Sequence, residues 1–348
     1  MSTITLALDA MGGDRAPRAV LRGVDIARKR YPDVRYLLFG DEVRIAPTLK
    51  RLSKLAPLCE VYHTTEAVGS DDKPSHALRR GKETSMRLAI DSVRDGKAAG
   101  VVSAGNTGAL MAMAKFVLKT VPGIDRPAIA GFFPSTRGES VMLDLGANIE
   151  STAENLAQFG VMGAAFARIV LGINKPTVGL LNVGTEELKG PETVKGAAEI
   201  LRAADLPLEF VGFVEGNDFG PGTVDVFVTN GFTGNIALKT AEGTAKFYAW
   251  NLRMAFRRSI LARLGYVLAR PALLALRERL DPRTYNGALF VGLNGVVIKS
   301  HGGTDARGFA SAVGVAVDMV KGRFNEHIVE DIHAFSAAPE MPTKAAAS

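Results

Sequence analysis

Cysteine is almost absent from this chain. Cys59 is the only one among 348 residues, which excludes a disulfide framework and a cysteine-based zinc site. Cys59 itself reads as a small apolar residue in a strand and a poor nucleophile. Long apolar runs are missing too. None approaches the roughly 18–20 residues that span a bilayer, and no basic segment followed by an apolar one marks a signal peptide at the N-terminus. A cytoplasmic protein is expected. Charge of one sign is not dominant: 42 Lys and Arg against 36 acids leave +6. That favours acidic partners without demanding nucleic acid. No zinc finger, RNP motif or aromatic-interleaved basic stripe is present, so no nucleic-acid partner is expected. Histidine is scarce as well, with five residues in all. His76 reads as a surface residue on a helix. His327 and His333, near Glu326, Glu330 and Asp331, read as a solvated terminal helix, and no metal site is expected.

What is present is alternation. "ITLALD", "VRYLLFG", "CEVYHT" and "GVVSAG" read as strands, with helices between them. The segment from Ser75 to Gly96 reads as one helix. "AIAGFFP" and "SVMLDLG" look like paired strands, and "ENLAQFGVMGAAFARIVLG" like a long helix. "TVGLLNVG", "LEFVGFVEG", "VDVFVTNG" and "GVVIKS" are further strands, and a helix runs through "FASAVGVAVDMV". Strands alternating with helices imply an α/β fold with a doubly wound, largely parallel sheet. No linker divides the chain. Residues 1–334 read as a single α/β domain with a helical excursion at about 245–286, and 335–348 as a disordered tail.

In such sheets ligands bind beyond the carboxyl ends of the strands. Seven loops at those positions share one chemistry: "DAMGGD", "SAGNTGA", "DLGAN", "NVGTEELKG", "EGND", "TNGFTGN" and "SHGGTD". Each alone reads as an ordinary turn, where Gly and Asn supply positive φ. Seven on one edge read as a shared anion site, because glycines let backbone N–H groups approach an anion at helix N-termini. Gly12, Gly13, Gly105 and Gly108 supply that access. Ser103, Asn106, Thr107, Asn148, Thr185 and Asn235 add side-chain donors. Asp9 and Asp14 orient loop amides or basic groups, and Asp144 is a further substrate-binding candidate. Lys189 is the first candidate for phosphate or oxyanion charge, and His301 a candidate acid. No GxGxxG after the first strand, no GxxxxGK[ST] and no GxSxG occurs. A small phosphate therefore fits better than a nucleotide.

Taken together and in order, "LALDAMGGDRAP", "SAGNTGA", "DLGAN", "NVGTEELKG", "EGND", "NGFTGNIALKTAEG" and "GLNGVVIKSHGG" resemble the bacterial phosphate acyltransferases of the PlsX type, from about residue 4 to about residue 325. The resemblance implies an isocitrate/isopropylmalate dehydrogenase-like fold. It implies transfer of a fatty acyl group from acyl carrier protein to inorganic phosphate, forming acyl phosphate for a membrane glycerol-3-phosphate acyltransferase. It implies a homodimer associated peripherally with membrane, and no metal or organic cofactor. Two positions depart from the family pattern. Asn230 stands where an Asp is common, which removes one acid near the site, and Asn286 stands where a Gly is common.

Residues 251–287 differ in character. Their charges are mostly Arg, and Leu261, Leu264 and Leu268 follow helical spacing until Pro271 breaks the run. Leu273, Leu276 and Leu280 make a second stripe. This reads as a projecting helical hairpin. Its face packs in a dimer or meets an anionic membrane surface through Leu264 and Leu268. Two other functions compete: an isocitrate-type NAD(P)-dependent dehydrogenase, and a non-catalytic membrane scaffold for lipid-synthesis enzymes. The glycine-rich loops argue against the scaffold, which has no use for an anion cradle.

Overall fold

A computed structural model describes residues 3–279, 281 and 283–336. The first half of the chain builds β1 (Thr5–Asp9), α1 (Arg18–Ala27), β2 (Arg35–Gly40), α2 (Glu42–Arg51), β3 (Cys59–His63), α3 (Pro74–Arg80), α4 (Ser85–Arg94), β4 (Gly100–Ser103) and α5 (Thr107–Leu118). It continues with β5 (Ala128–Pro134), β6 (Glu139–Leu143) and α6 (Ala153–Leu171). The second half adds β7 (Thr177–Leu181), α7 (Glu192–Ala203), β8 (Glu209–Val214), β9 (Val226–Val228), α8 (Gly231–Arg257) and α9 (Ile260–Arg279). It ends with β10 (Ala288–Val291), β11 (Val296–Lys299), α10 (Ala306–Lys321) and α11 (Phe324–Ser336).

The segment expected as one helix from Ser75 to Gly96 is two. The first ends at Arg80 with Gly81 as its C-cap, and Thr84 caps the second: its hydroxyl donates to Gly81 O at 2.7 Å and accepts from Arg87 N at 3.4 Å. Pro271 does not break α9 but lies within it. The carbonyl it leaves unbonded belongs to Val267, which is exposed, so water can satisfy it. Strand β10 was not foreseen, because "ALFV" is short and follows a glycine. The expected tail is helical at its first two positions, within α11, and residues 337–348 lie outside the described residues, as does Leu280.

Among the described residues eleven strands form one sheet, in the order β3-β2-β1-β4-β11-β10-β5-β6-β9-β7-β8. The first five run parallel. Strand β10 opposes both of its neighbours, and β5 opposes β6. Strands β6, β9, β7 and β8 are again parallel to one another. Their direction is therefore opposite to that of β1, β4 and β11. Strand β5 joins the halves: Ala128–Ala130 pair with β10, and Gly131–Pro134 pair with β6.

Helices cover both faces. One face carries α1, α6, α7, α10 and α11 over Leu8, Val102, Ile298, Val178 and Val228. The other carries α4 and α5 over Ala7, Val101 and Val297. Close packing of α6 depends on its small residues. A Cβ on Gly163 would lie 2.6 Å from Val226 Cγ1 and 2.7 Å from Leu143 Cδ1. In α8 only Gly231 and Gly234 are buried, and α9 exposes Leu261, Leu264 and Leu268. The exposed helical stretch thus begins near residue 232, earlier than the sequence reading placed it.

Candidate active site

Strand direction decides which loops stand together. Expected on one edge, the seven loops are in fact divided. Those after β1, β4 and β11 leave the sheet one way, and those after β6, β9, β7 and β8 leave it the other way. The reversal at β10 and at the β5–β6 turn is the cause. The two sets start from neighbouring registers across β5. Val102 pairs with Ile298, which pairs with Leu289, which pairs with Ala130. Gly131, next in β5, pairs with Met142.

In the first set, a polar row crosses the sheet on the α4–α5 face. Asp9 ends β1, Ser103 ends β4, and Lys299, paired with Ser103 in register, ends β11. Paired residues of parallel neighbours share a face. Ser103 Oγ donates to Asp9 Oδ2 at 2.7 Å, and Ser85 Oγ donates to Asp9 Oδ1 at 2.6 Å. Gly105 N donates to Ser103 Oγ at 3.0 Å. Asp9 is wholly buried, and burial raises its pKa against the opposing pull of the two serine hydroxyls. Its hydrogen bonds tie the end of β1 to Ser85, Ser103 and Met11 N.

Glycine is required here by close approach. A Cβ on Gly12 would collide with Asp9 Oδ2 and would sit 2.7 Å from Gly105 N. One on Gly13, whose φ is +97°, would sit 3.0 Å from Gly302 O. Asp14 N donates to Gly302 O at 3.0 Å, which ties the β1 loop to the β11 loop. Beneath them lies a cavity of about 10 Å³ lined by Gly12, Gly13, Ala104, Gly302 and Thr304, room for about one water. Thr107 is exposed at the first turn of α5. Asn106 is not a free donor: Oδ1 caps α5 at Ala109 N, 3.0 Å away, and Nδ2 donates to Ser70 O at 2.9 Å and Asp72 O at 3.0 Å. A Cβ on Gly108 would sit 2.7 Å from Pro74 Cγ.

His301 is exposed, and its Nδ1 accepts from Gly303 N at 3.1 Å. When neutral it therefore carries its proton on Nε2. Asn286 anchors this loop: Nδ2 donates to Ser300 Oγ at 2.8 Å and Gly308 O at 2.7 Å, while Oδ1 accepts from His301 N at 2.9 Å.

The second set is organised around Asp144. This buried carboxylate accepts from the backbone N–H groups of Ile129, Gly146, Ala147 and Asn148 at 2.7–3.1 Å. Asn148, expected as a ligand donor, spends its amide on Pro127 O and Asp144 Oδ2, both at 2.9 Å. Asn230 caps α8 through Thr233 N at 2.9 Å. Asn235 is exposed on α8 beside Gly146. Lys189 and Thr185 lie on the exposed β7 loop, and Lys189 Nζ pairs with Glu186 Oε1 at 2.7 Å, which raises its pKa. The structure does not bring Lys189 into contact with Gly12, Gly13 or Gly105.

The scarce groups elsewhere stay outside these loops. Burial pushes the Cys59 thiol up to about 12. His327 lies 3.6 Å from Glu330, and Asp331 pairs with Arg168. Among the described residues no three His, Cys, Asp or Glu stand close enough to hold a metal ion.

Sequence reasoning missed Lys299 and Ser85, and noted Asn286 only as a departure from the family pattern. Lys299 had a signal: it is the charged residue closing an apolar strand, as Asp9 closes "LALD". Ser85 had none, since its role depends on where α4 starts.

The chain is an α/β fold with helices on both faces of its sheet and glycine-rich loops at the strand ends, where such folds hold their ligands. Solved structures share the architecture. A phosphotransacetylase from Streptococcus pyogenes aligns with a TM-score of 0.62 and 19% identity, over 91% of this chain and 94% of its own. The EutD phosphotransacetylase from Staphylococcus aureus gives 0.58 and 17%, with the same coverage. Residues 4–327 match the family described as fatty acid synthesis protein, and the chain belongs to that family. A relative from Rhodospirillum centenum named phosphate acyltransferase is 64% identical, covering 96% of this chain and 94% of its own. Another of that name, from Rhodospirillum rubrum, is 57% identical, covering 97% of each.

Proposed function

We propose that the chain transfers a fatty acyl group from acyl carrier protein to inorganic phosphate, forming acyl phosphate for phospholipid synthesis. One observation carries this reading beyond family membership. The β1, β4 and β11 loops meet so closely that a Cβ on Gly12 would sit 2.7 Å from Gly105 N and one on Gly13 would sit 3.0 Å from Gly302 O. Such loops present N–H groups to a small oxyanion.

The chemistry balances as follows. A phosphate oxygen attacks the thioester carbonyl carbon and a C–O bond forms. The tetrahedral intermediate collapses, the C–S bond breaks, and the carrier thiolate leaves. The proton carried by hydrogen phosphate ends on that sulfur. Phosphate is strongly hydrated, so fixed donors must replace its water. We assign the amides of Gly13, Thr107 and Gly108 to that task, while Gly12 and Gly105, whose own amides are spent on Asp9 O and Ser103 Oγ, leave the space open. Ser103, Asp9, Asp14 and Asn106 hold those loops in place. His301 Nε2, a donor in the neutral ring, hydrogen-bonds the departing sulfur while that proton arrives. Lys189, Thr185 and Asn235, on the other set of loops, serve the carbonyl oxyanion, with Asp144 and Asn148 fixing the backbone beside them. Lys189 must leave Glu186 to do so.

Our reading of the architecture is isocitrate/isopropylmalate dehydrogenase-like, with residues 1–334 as a single domain and α8–α9 as a projecting helical hairpin. No described helix is long and apolar enough to cross a membrane. The exposed Phe247, Trp250, Leu261, Leu264 and Leu268, with the arginines around them, fit a homodimer contact on one face and an anionic membrane surface on another. Peripheral association of a cytoplasmic enzyme would deliver a poorly soluble product to a membrane glycerol-3-phosphate acyltransferase. The test is a trap. Acyl carrier thioester is supplied with and without phosphate, and hydroxylamine captures the activated acyl group. Phosphate-dependent hydroxamate supports the reading, and its absence refutes it.

A further inference from the structure

Lys299 is the one cation in the polar row that ends β1, β4 and β11. It follows three buried residues, Val296, Val297 and Ile298, and is itself partly buried. Its register partner on β4 is Ser103, and on β10 it is Ala288, whose methyl group offers no polar contact. An ammonium has three donors. Among the described residues Lys299 Nζ makes one hydrogen bond, to the carbonyl of Ser300 beside it, and no ion pair. Asp9 feels its charge but is already engaged by Ser85, Ser103 and Met11 N. Asp14, the other acid that feels it, is exposed on the β1 loop. A partly buried ammonium with donors unspent by the protein is costly unless an anion completes it.

Open donors of a second kind follow its register partner, Ser103. Helix α5 begins four residues after Ser103, and its cap satisfies Ala109 N. The amides of Thr107 and Gly108, in the first turn, have no acceptor within the helix.

We propose that Lys299 Nζ is a phosphate ligand, the charged member of a site completed by the first amides of α5. The proposal rests on the acyl-transfer reading above and names the charge that holds its nucleophile. Burial draws the lysine pKa down to about 8, so the ammonium predominates only below that pH.

Three forms of the protein test it: wild type, Lys299→Met and Lys299→Arg. Phosphate binding is measured by calorimetry, independently of turnover, and KM is measured for phosphate and for acyl carrier thioester. Lys299→Met is expected to weaken phosphate binding and raise the phosphate KM about 10- to 100-fold, with the thioester KM changed less than about twofold. Lys299→Arg is expected to recover most of the affinity. Phosphate affinity within about twofold of wild type in Lys299→Met, or equal rises in both KM values, would overturn the proposal. Should Lys299→Met not fold, the comparison moves to pH. Wild type must lose phosphate affinity above about pH 8 relative to Lys299→Arg, and parallel profiles overturn it. A wild type that binds phosphate through Lys299 but forms no acyl hydroxamate would sink the acyl-transfer reading and leave the phosphate site standing.

Discussion

Ser103 Oγ reaches across from β4 to donate to Asp9 Oδ2 at 2.7 Å, and the same oxygen accepts from Gly105 N at 3.0 Å. One hydroxyl thus links the carboxylate that ends β1 to the turn that starts α5. Both residues are wholly buried, so neither can turn to water if the link is cut.

The first prediction follows from that link. Ser103→Ala removes a hydrogen bond to a buried carboxylate and strands Gly105 N. Stability should fall by about 1.5–3 kcal/mol, read as a lower urea midpoint with an unchanged slope. A midpoint that does not move would mean that the turn is held by other contacts.

Glycine substitutions should separate folding from turnover. A Cβ on Gly105 meets Met86 Cε at 2.6 Å, the far end of a flexible side chain, whereas one on Gly12 meets backbone at Gly105 N. Gly105→Val should therefore fold and lose phosphate-dependent turnover, while Gly12→Ala should lower the melting temperature more. Full activity in Gly105→Val removes the β4 loop from the site.

Lys189 gives a graded outcome. A charge-assisted contact contributes about 1.5–3 kcal/mol, so Lys189→Ala should reduce kcat/KM roughly 10- to 150-fold. A loss under about twofold makes it a solvated lysine paired with Glu186.

Lys299 also predicts a pH dependence of stability. Its folded pKa, about 8, lies below the ordinary 10.5. Between those values the unfolded chain holds a proton that the folded chain lacks. Stability from this group therefore rises with pH across that window, by up to about 1.4 kcal/mol per unit, and is level below it. Urea unfolding from pH 7.5 to 10 should show wild type gaining on Lys299→Met. A constant difference would place the lysine in water.

Leu264 and Leu268 are exposed on α9. Replacing both by Glu should weaken flotation with anionic liposomes and spare turnover in solution. Normal flotation with loss of the dimer assigns these leucines to the subunit contact instead.

Much of the fold is legible in the sequence, because apolar strands closed by Asp9, Ser103 or Asp144 announce both the strand and its end. The division of the loops is not. Direction is set by β10, four residues long, and by the antiparallel β5–β6 turn, neither of which leaves a periodic signal strong enough to orient a half-sheet. The glycines were legible as a site, since nothing else explains them so well. Which side chains stay free was not. Asn106 and Asn148 look like ligand donors in one dimension, and only the folded chain brings Ser70, Asp72 and Pro127 to their amides. Lys299 was passed over for Lys189 because the exposed loop carried the louder motif.

The central claim is that phosphate itself attacks the acyl thioester at these loops. The most direct measurement uses ¹⁸O-labelled phosphate with acyl carrier thioester and follows the label into product. The account predicts acyl phosphate carrying the label in its bridging oxygen, formed only with phosphate present and suppressed in Gly105→Val. Thioester cleavage at the same rate without phosphate, or acyl product free of label, would contradict it.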